Sequence, residues 1–174
     1  MKLRISKLKL LILMVMSVVG VAASAEVLIV YYSMGQTPPF CPSGTFFGLH
    51  FDCDAVLGSP YSTIFGVPLE LLALGYFLVN LALVYLIAFG SDRLSHLSMR
   101  TLFGWRFIGI ILVPYLVYIE VILIKAICVY CTIMHVAIVA DFIIISYLLF
   151  LRPSDTFGTG SVPGSPASEL PAVE

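Results

Sequence analysis

The sequence predicts an all-α integral membrane protein, a four-transmembrane-helix bundle with an outer loop cap, and three observations predict it. The chain of 174 residues is 60% hydrophobic and only 11% charged, whereas a soluble domain runs to about 45–50% apolar and about 25% charged. Its apolar residues gather into four blocks, each long enough to cross the hydrocarbon, for which about 20 residues suffice. None of the blocks alternates with a period of two. Each is therefore a helix and not a barrel strand, the two structures that satisfy their own backbone in lipid. A net charge of −1 gives no reason to propose nucleic acid as a partner.

Taken in order, the first block covers 10–32. It follows a basic N-terminus and contains Ala23-Ser24-Ala25, a pattern also found at secretory cleavage sites. The apolar run continues through 27–32, past that point, so the block reads as a retained span. The segment 33–66 comes next and is dense in turn formers, among them Pro38, Pro39, Pro42, Gly58 and Pro60. It also carries Phe40, Phe46, Phe47, Phe51, Tyr61 and Phe65. Aromatic rings favour the membrane interface, so this cap is expected to lie across the helix ends. The second block covers 67–89, and a short polar loop at 90–103 follows it. The third block, 104–124, contains Pro114, which is expected to kink it or free a carbonyl. The fourth, 126–151, is joined to the third almost without a linker around Lys125, so the two form an antiparallel pair. The stretch 153–174 is rich in Pro, Ser and Gly and reads as a disordered cytoplasmic tail. Residues 1–152 are thus assigned to a four-helix membrane domain.

Orientation follows from the basic residues. With the N-terminus in the cytoplasm, Lys2, Arg4, Lys7, Lys9, Arg93, Arg100, Arg106 and Arg152 fall on the inner side and Lys125 alone falls outside. The cytoplasmic side of a membrane protein carries the excess of Lys and Arg. Both termini are therefore placed in the cytoplasm of a cell membrane.

The same topology puts all four cysteines, Cys41, Cys53, Cys128 and Cys131, on the extracytoplasmic side, where disulfides persist. The pair Cys128-Val129-Tyr130-Cys131 opens the fourth span. Residues i and i+3 share a helix face, so the two sulfurs can bond. A helix N-terminus favours the thiolate, the species that attacks disulfides. Two other readings stand beside a redox one. A CxxC is half of a zinc site, but zinc takes four ligands and the chain has only three histidines, so no metal is assigned. Two static disulfides that stabilise the outer cap are the stronger alternative.

The surroundings of the cysteines bear on that choice. Cys53 is followed by Ser59, Tyr61 and Phe65-Gly66, with the CxxC at the head of the last span and Cys41 earlier in the loop. This arrangement resembles the vitamin K epoxide reductase family over about residues 8–151. The resemblance implies a four-helix bundle around a quinone pocket, closed by the cap. It implies a thiol:quinone oxidoreductase of disulfide-bond formation. Electrons would run from a thioredoxin-like partner to Cys41 and Cys53, then to Cys128 and Cys131, then to a membrane quinone such as menaquinone or ubiquinone. Vitamin K-type quinone or epoxide is a related substrate class. By the same resemblance Ser59, Tyr61 and Phe65 would line the quinone site. His135 stands where vertebrate members have a pocket tyrosine, one turn below Cys131. Many relatives carry a fused thioredoxin-like domain after the last span. The segment 153–174 has no cysteine, so the partner is expected to act in trans.

Ionisable residues inside spans are costly and usually functional. Glu70, Glu120, His135 and Asp141 qualify. His135 is a candidate proton relay or a hydrogen-bonded packing residue. Glu120 reads as close enough to a helix end to reach water, and Asp141 as paired with a hydroxyl.

Overall fold

The computed structural model describes residues 7–41, 43–46 and 49–148. The expected tail at 153–174 lies outside the described residues. Among the described residues four helices are long and apolar enough to cross a membrane, so the protein is a multi-pass membrane protein. They are α1 (Lys7–Val27, extended by a π-helical turn, Leu28–Ser33), α3 (Leu69–Phe89), α4 (Asp92–Tyr118, extended by a π-helical turn, Ile119–Ile124) and α5 (Val129–Ser146). Each packs on its neighbours in sequence and α5 returns to α1, which closes the ring. At one point the approach is close enough to require glycine: a Cβ on Gly20 of α1 would run into the Phe77 ring of α3. Small residues allow this kind of contact where lipid supplies no hydrophobic drive between helices.

The bundle interior is layered. At the cap end, Val27, Phe77, Met134 and Ala137 pack together with three of the cysteines. At the far end Leu13, Val84, Met99, Leu102 and Ile145 form a second apolar cluster. Between them α3, α4 and α5 place Asn80, Arg106 and Asp141, all with no exposed surface. Leucine, isoleucine and valine side chains such as Leu78, Ile111, Val136 and Ile143 point outward instead. An apolar outside around a partly polar inside is what lipid as the solvent selects.

The cap is built from short pieces. Strands β1 (Gly44–Phe46) and β2 (Leu49–Phe51) pair antiparallel. Helix α2 (Cys53–Leu57) follows, with Asp52 as its N-cap accepting the Ala55 N–H at 3.0 Å. A 3-10 turn, Pro60–Ser62, leads into a two-residue hairpin of β3 (Thr63–Ile64) and β4 (Val67–Pro68). Its tip, Phe65-Gly66, has positive φ at both positions, as a type I′ turn demands.

Two sequence expectations are corrected here. The polar stretch 90–103 is not a loop, because α4 begins at Asp92. Arg93 and Arg100 occupy its exposed face while Met99 and Leu102 pack inward at 1% and 0% exposure. Its polarity is thus that of one helix face. The Ser95 hydroxyl donates to the Leu86, Ile87 and Gly90 carbonyls and ties the end of α3 to the start of α4. Arg106, counted above among the inner-side cations, is fully buried within the bundle. The expected near-absence of a linker around Lys125 holds: Lys125 takes a left-handed conformation (φ 60°) that ends the π turn, and α5 starts at Val129.

Candidate functional site

Cys41 and Cys53 are joined by a disulfide with a Cα–Cα separation of 6.2 Å. The residues between them hold the β1–β2 hairpin, which accommodates a loop of this length. The hairpin in turn is fastened to the head of α5. The Ile127 N–H donates to the His50 carbonyl at 2.9 Å, and the Asp52 N–H donates to the Ile127 carbonyl at 3.2 Å. Phe51 and Ile127 thereby form an isolated parallel bridge. Chain direction then brings Cys53 and Cys128 into one buried cluster, where they are 2% and 0% exposed. A second fastening lies beside Cys41, where the Tyr130 hydroxyl donates to the Pro39 carbonyl.

Cys128 and Cys131 are free thiols. Cys128 is the N-cap of α5, and its sulfur accepts the Cys131 N–H at 3.4 Å. The Thr132 hydroxyl and N–H both return to the Cys128 carbonyl at 2.9 Å. A hydrogen bond from the Cys131 thiol lowers the Cys128 pKa below the ordinary thiol value. Burial and the nearby Glu120 charge oppose the shift, and the Cys131 and Tyr130 backbone N–H groups reinforce it. Cys128 is thus the sulfur favoured as thiolate, the form that attacks or leaves in disulfide exchange.

On the other side of Cys131 lies a cavity of about 170 Å³. Of the residues expected at a cofactor site, Ser59, Tyr61 and His135 line it, as does Cys131. Phe65 is not brought to it. At the tip of its hairpin with φ 52°, Phe65 is held away from the bundle and is fully exposed. Cys128 does not line the cavity and shares one buried cluster with Cys131 and Cys53. The walls are largely aliphatic, with two orphaned hydroxyls buried among them, Ser59 Oγ and Tyr76 OH. Unpaired buried donors are costly, and in a ligand site they are the groups that orient a polar atom of the ligand. A flat apolar molecule with carbonyl oxygens, which is what a quinone is, suits this lining.

Sequence reasoning missed Tyr76, whose hydroxyl lies mid-span among aliphatic residues. Trp105 of α4 stacks on its ring at 5.6 Å and donates its indole N–H to the Tyr76 carbonyl at 3.4 Å. Glu120 is also corrected: it does not reach water but is 6% exposed in the cavity wall. Its carboxyl lies close to the Cys128 backbone N–H and the Cys131 thiol. Glu70 lines the same wall and accepts the Tyr32 hydroxyl at 3.1 Å. Asp141 pairs not with a hydroxyl but with Arg106, at 3.3 Å, while Arg106 Nη1 donates to the Asp141 carbonyl at 2.6 Å.

Fold and site together define a membrane helical bundle that holds a loop disulfide and a dithiol in one cluster, with Cys131 of the dithiol at the wall of a largely apolar cavity. The sequence pattern of the Vitamin K epoxide reductase family matches residues 11–146, and the chain belongs to that family. Comparison with individual curated proteins gave no match. Membership implies an oxidoreductase of the thiol–quinone type.

Proposed function

We propose that the protein is a thiol:quinone oxidoreductase of disulfide-bond formation, with Cys41, Cys53, Cys128 and Cys131 as its redox centres. The observation that carries this reading is the order of the sulfurs. Cys131 lines the cavity, Cys128 does not, and Cys53 shares the buried cluster of both. A thioredoxin-like protein in trans reduces the Cys41–Cys53 disulfide, which lies in the cap. Cys53 then exchanges with Cys128 through a mixed disulfide. Cys131, at the cavity wall, faces the electron acceptor. Ser59 Oγ and Tyr76 OH, both in the lining, offer hydrogen bonds to ring oxygens, and Tyr61 and His135 add polar groups to the wall. A quinone supplies the two-electron acceptor. Menaquinone, ubiquinone and vitamin K-type quinone or epoxide share the chemistry that this lining recognises.

The cysteines are assigned to the extracytoplasmic side and both termini to the cytoplasm. The test of side is an impermeant thiol reagent applied to intact cells after mild reduction, which should label Cys41 and Cys53. The test of activity is anaerobic reduction of a short-chain quinone by purified protein and a dithiol donor. Turnover supports the reading. A second reading, a structural protein with static disulfides, is favoured if there is no turnover and the CxxC potential falls below about −300 mV, the range of structural disulfides.

A further inference from the structure

We infer that Glu120 is a catalytic residue, taking the proton that the Cys131 thiol gives up and passing it to an oxygen of the electron acceptor in the cavity. The inference rests on the thiol–quinone reading above. Glu120 sits in the π-helical turn Ile119–Ile124. The Ala126 N–H closes that turn onto the Glu120 carbonyl at 3.1 Å, just before the reversal that delivers Cys128. The turn therefore fixes the glutamate against the head of the next helix. Its carboxyl is buried at 6% exposure in the same cavity wall as Cys131 and Ser59, close to the Cys131 thiol and the Cys128 backbone N–H.

Among the described residues no lysine or arginine pairs with Glu120. A dry carboxyl without a cation is an expensive charge to hold. It changes state by exchanging a proton with a neighbour, and its neighbour is the sulfur that reacts. Glu70 lines the same wall, but its carboxyl is engaged by Tyr32. His135 lies on the face of Cys131 one turn further along α5, and no hydrogen bond joins it to the sulfur among the described contacts.

The chemistry balances. Two S–H bonds break and one S–S bond forms, so the CxxC loses two electrons and two protons. A quinone accepts both of each and leaves as the hydroquinone. One of the two protons starts on Cys131, 9% exposed at the wall of a largely apolar cavity, and Glu120 lies in the same wall as its starting point.

Two measurements on the full-length protein in detergent test this. The first uses no quinone: infrared difference spectra between reduced and chemically oxidised CxxC. Oxidation removes the thiol beside Glu120, so a carboxyl band should change in the wild type and in Glu70→Gln, and be absent in Glu120→Gln. The second is single-turnover reduction of a short-chain quinone. Glu120→Gln should slow it about a hundredfold or more, the range lost with a general acid–base group. Thiol exchange between the two cysteine pairs should not be slowed, because losing the Glu120 charge favours the Cys128 thiolate, and for quinone reduction Glu120→Asp should fall between. The proposal is overturned if the band persists in Glu120→Gln, if that variant reduces quinone at the wild-type rate, or if exchange and reduction fall together, as for a packing residue. A wild type that shows the band but reduces no quinone overturns the quinone reading and the delivery step, while proton exchange with Cys131 stands.

Discussion

Phe51 and Ile127 form an isolated parallel bridge, and through it the backbone of the cap is laid against the head of α5 one residue before Cys128 and two before Cys53. Two hydrogen bonds, at 2.9 and 3.2 Å, hold this register. A shift along the chain would move the loop cysteine away from the CxxC, so the bridge is a structural condition for exchange between the pairs.

The first expected outcome follows from that register. Cys131→Ala leaves the Cys128 thiol without a resolving neighbour, so a Cys53–Cys128 disulfide should accumulate. Proteolysis between α1 and α5, followed by non-reducing electrophoresis and mass spectrometry, detects the link. A Cys41–Cys128 link would reassign the shuttling cysteine.

Replacing Cys41 or Cys53 by Ala should stop oxidation of a folded thioredoxin-like partner and spare quinone reduction by a small dithiol. The difference is one of access, since a small dithiol can reach the head of α5 and a folded partner cannot. The two rates are to be compared in the same preparation. Equal loss of both would remove the two-step order.

Ser59→Ala should slow quinone reduction by about a hundredfold, the usual cost of losing one donor aimed at developing negative charge in a dry site. Tyr76→Phe should act in the same direction, because its hydroxyl is the other buried orphan at the wall. Neither should alter exchange between the cysteine pairs. Stopped-flow quinone kinetics beside thiol trapping separates the two steps, and normal quinone kinetics in the double variant would remove this lining from the mechanism.

The Cys128 thiol is held below its ordinary pKa first of all by the hydrogen bond from the Cys131 thiol. In reduced wild-type protein its reaction with a small methanethiosulfonate should therefore rise with pH at a midpoint below that of a free cysteine. Cys131→Ala removes this largest stabiliser of the thiolate, so the midpoint should move up. A midpoint that stays put would show that the Cys131 thiol is not what holds the thiolate.

Arg106→Met leaves Asp141 as an uncompensated carboxylate in the bundle centre. Breaking a buried pair in this way costs about 3–5 kcal/mol. The variant should melt well below the wild type in detergent, and pairing it with Asp141→Leu should recover most of the loss. If the double variant melts as low as the single one, the pair is not the source of the stability.

The sequence by itself determined the membrane class and the four spans, because hydrocarbon thickness converts directly into a run of apolar residues. It also determined the CxxC at the head of the last span, because i and i+3 share a helix face whatever surrounds them. The motif running from Cys53 through Phe65-Gly66 was enough to indicate the family. What it did not determine follows from side-chain direction and distant neighbours. The stretch 90–103 read as a loop because composition does not show that Arg93 and Arg100 share one face while Met99 and Leu102 share the other. Phe65 carries the family motif, yet a turn with positive φ at its own position points it away from the cavity. Arg106 counts as a flanking charge in a linear tally, and only the approach of α5 pairs it with Asp141. Glu120 lies close to a helix end in sequence, which suggests water. The left-handed turn at Lys125 brings the next helix back beside it, so that it is buried close to the Cys131 thiol. Local rules thus decided the elements, and contacts between residues far apart in the chain decided which polar groups meet at the site.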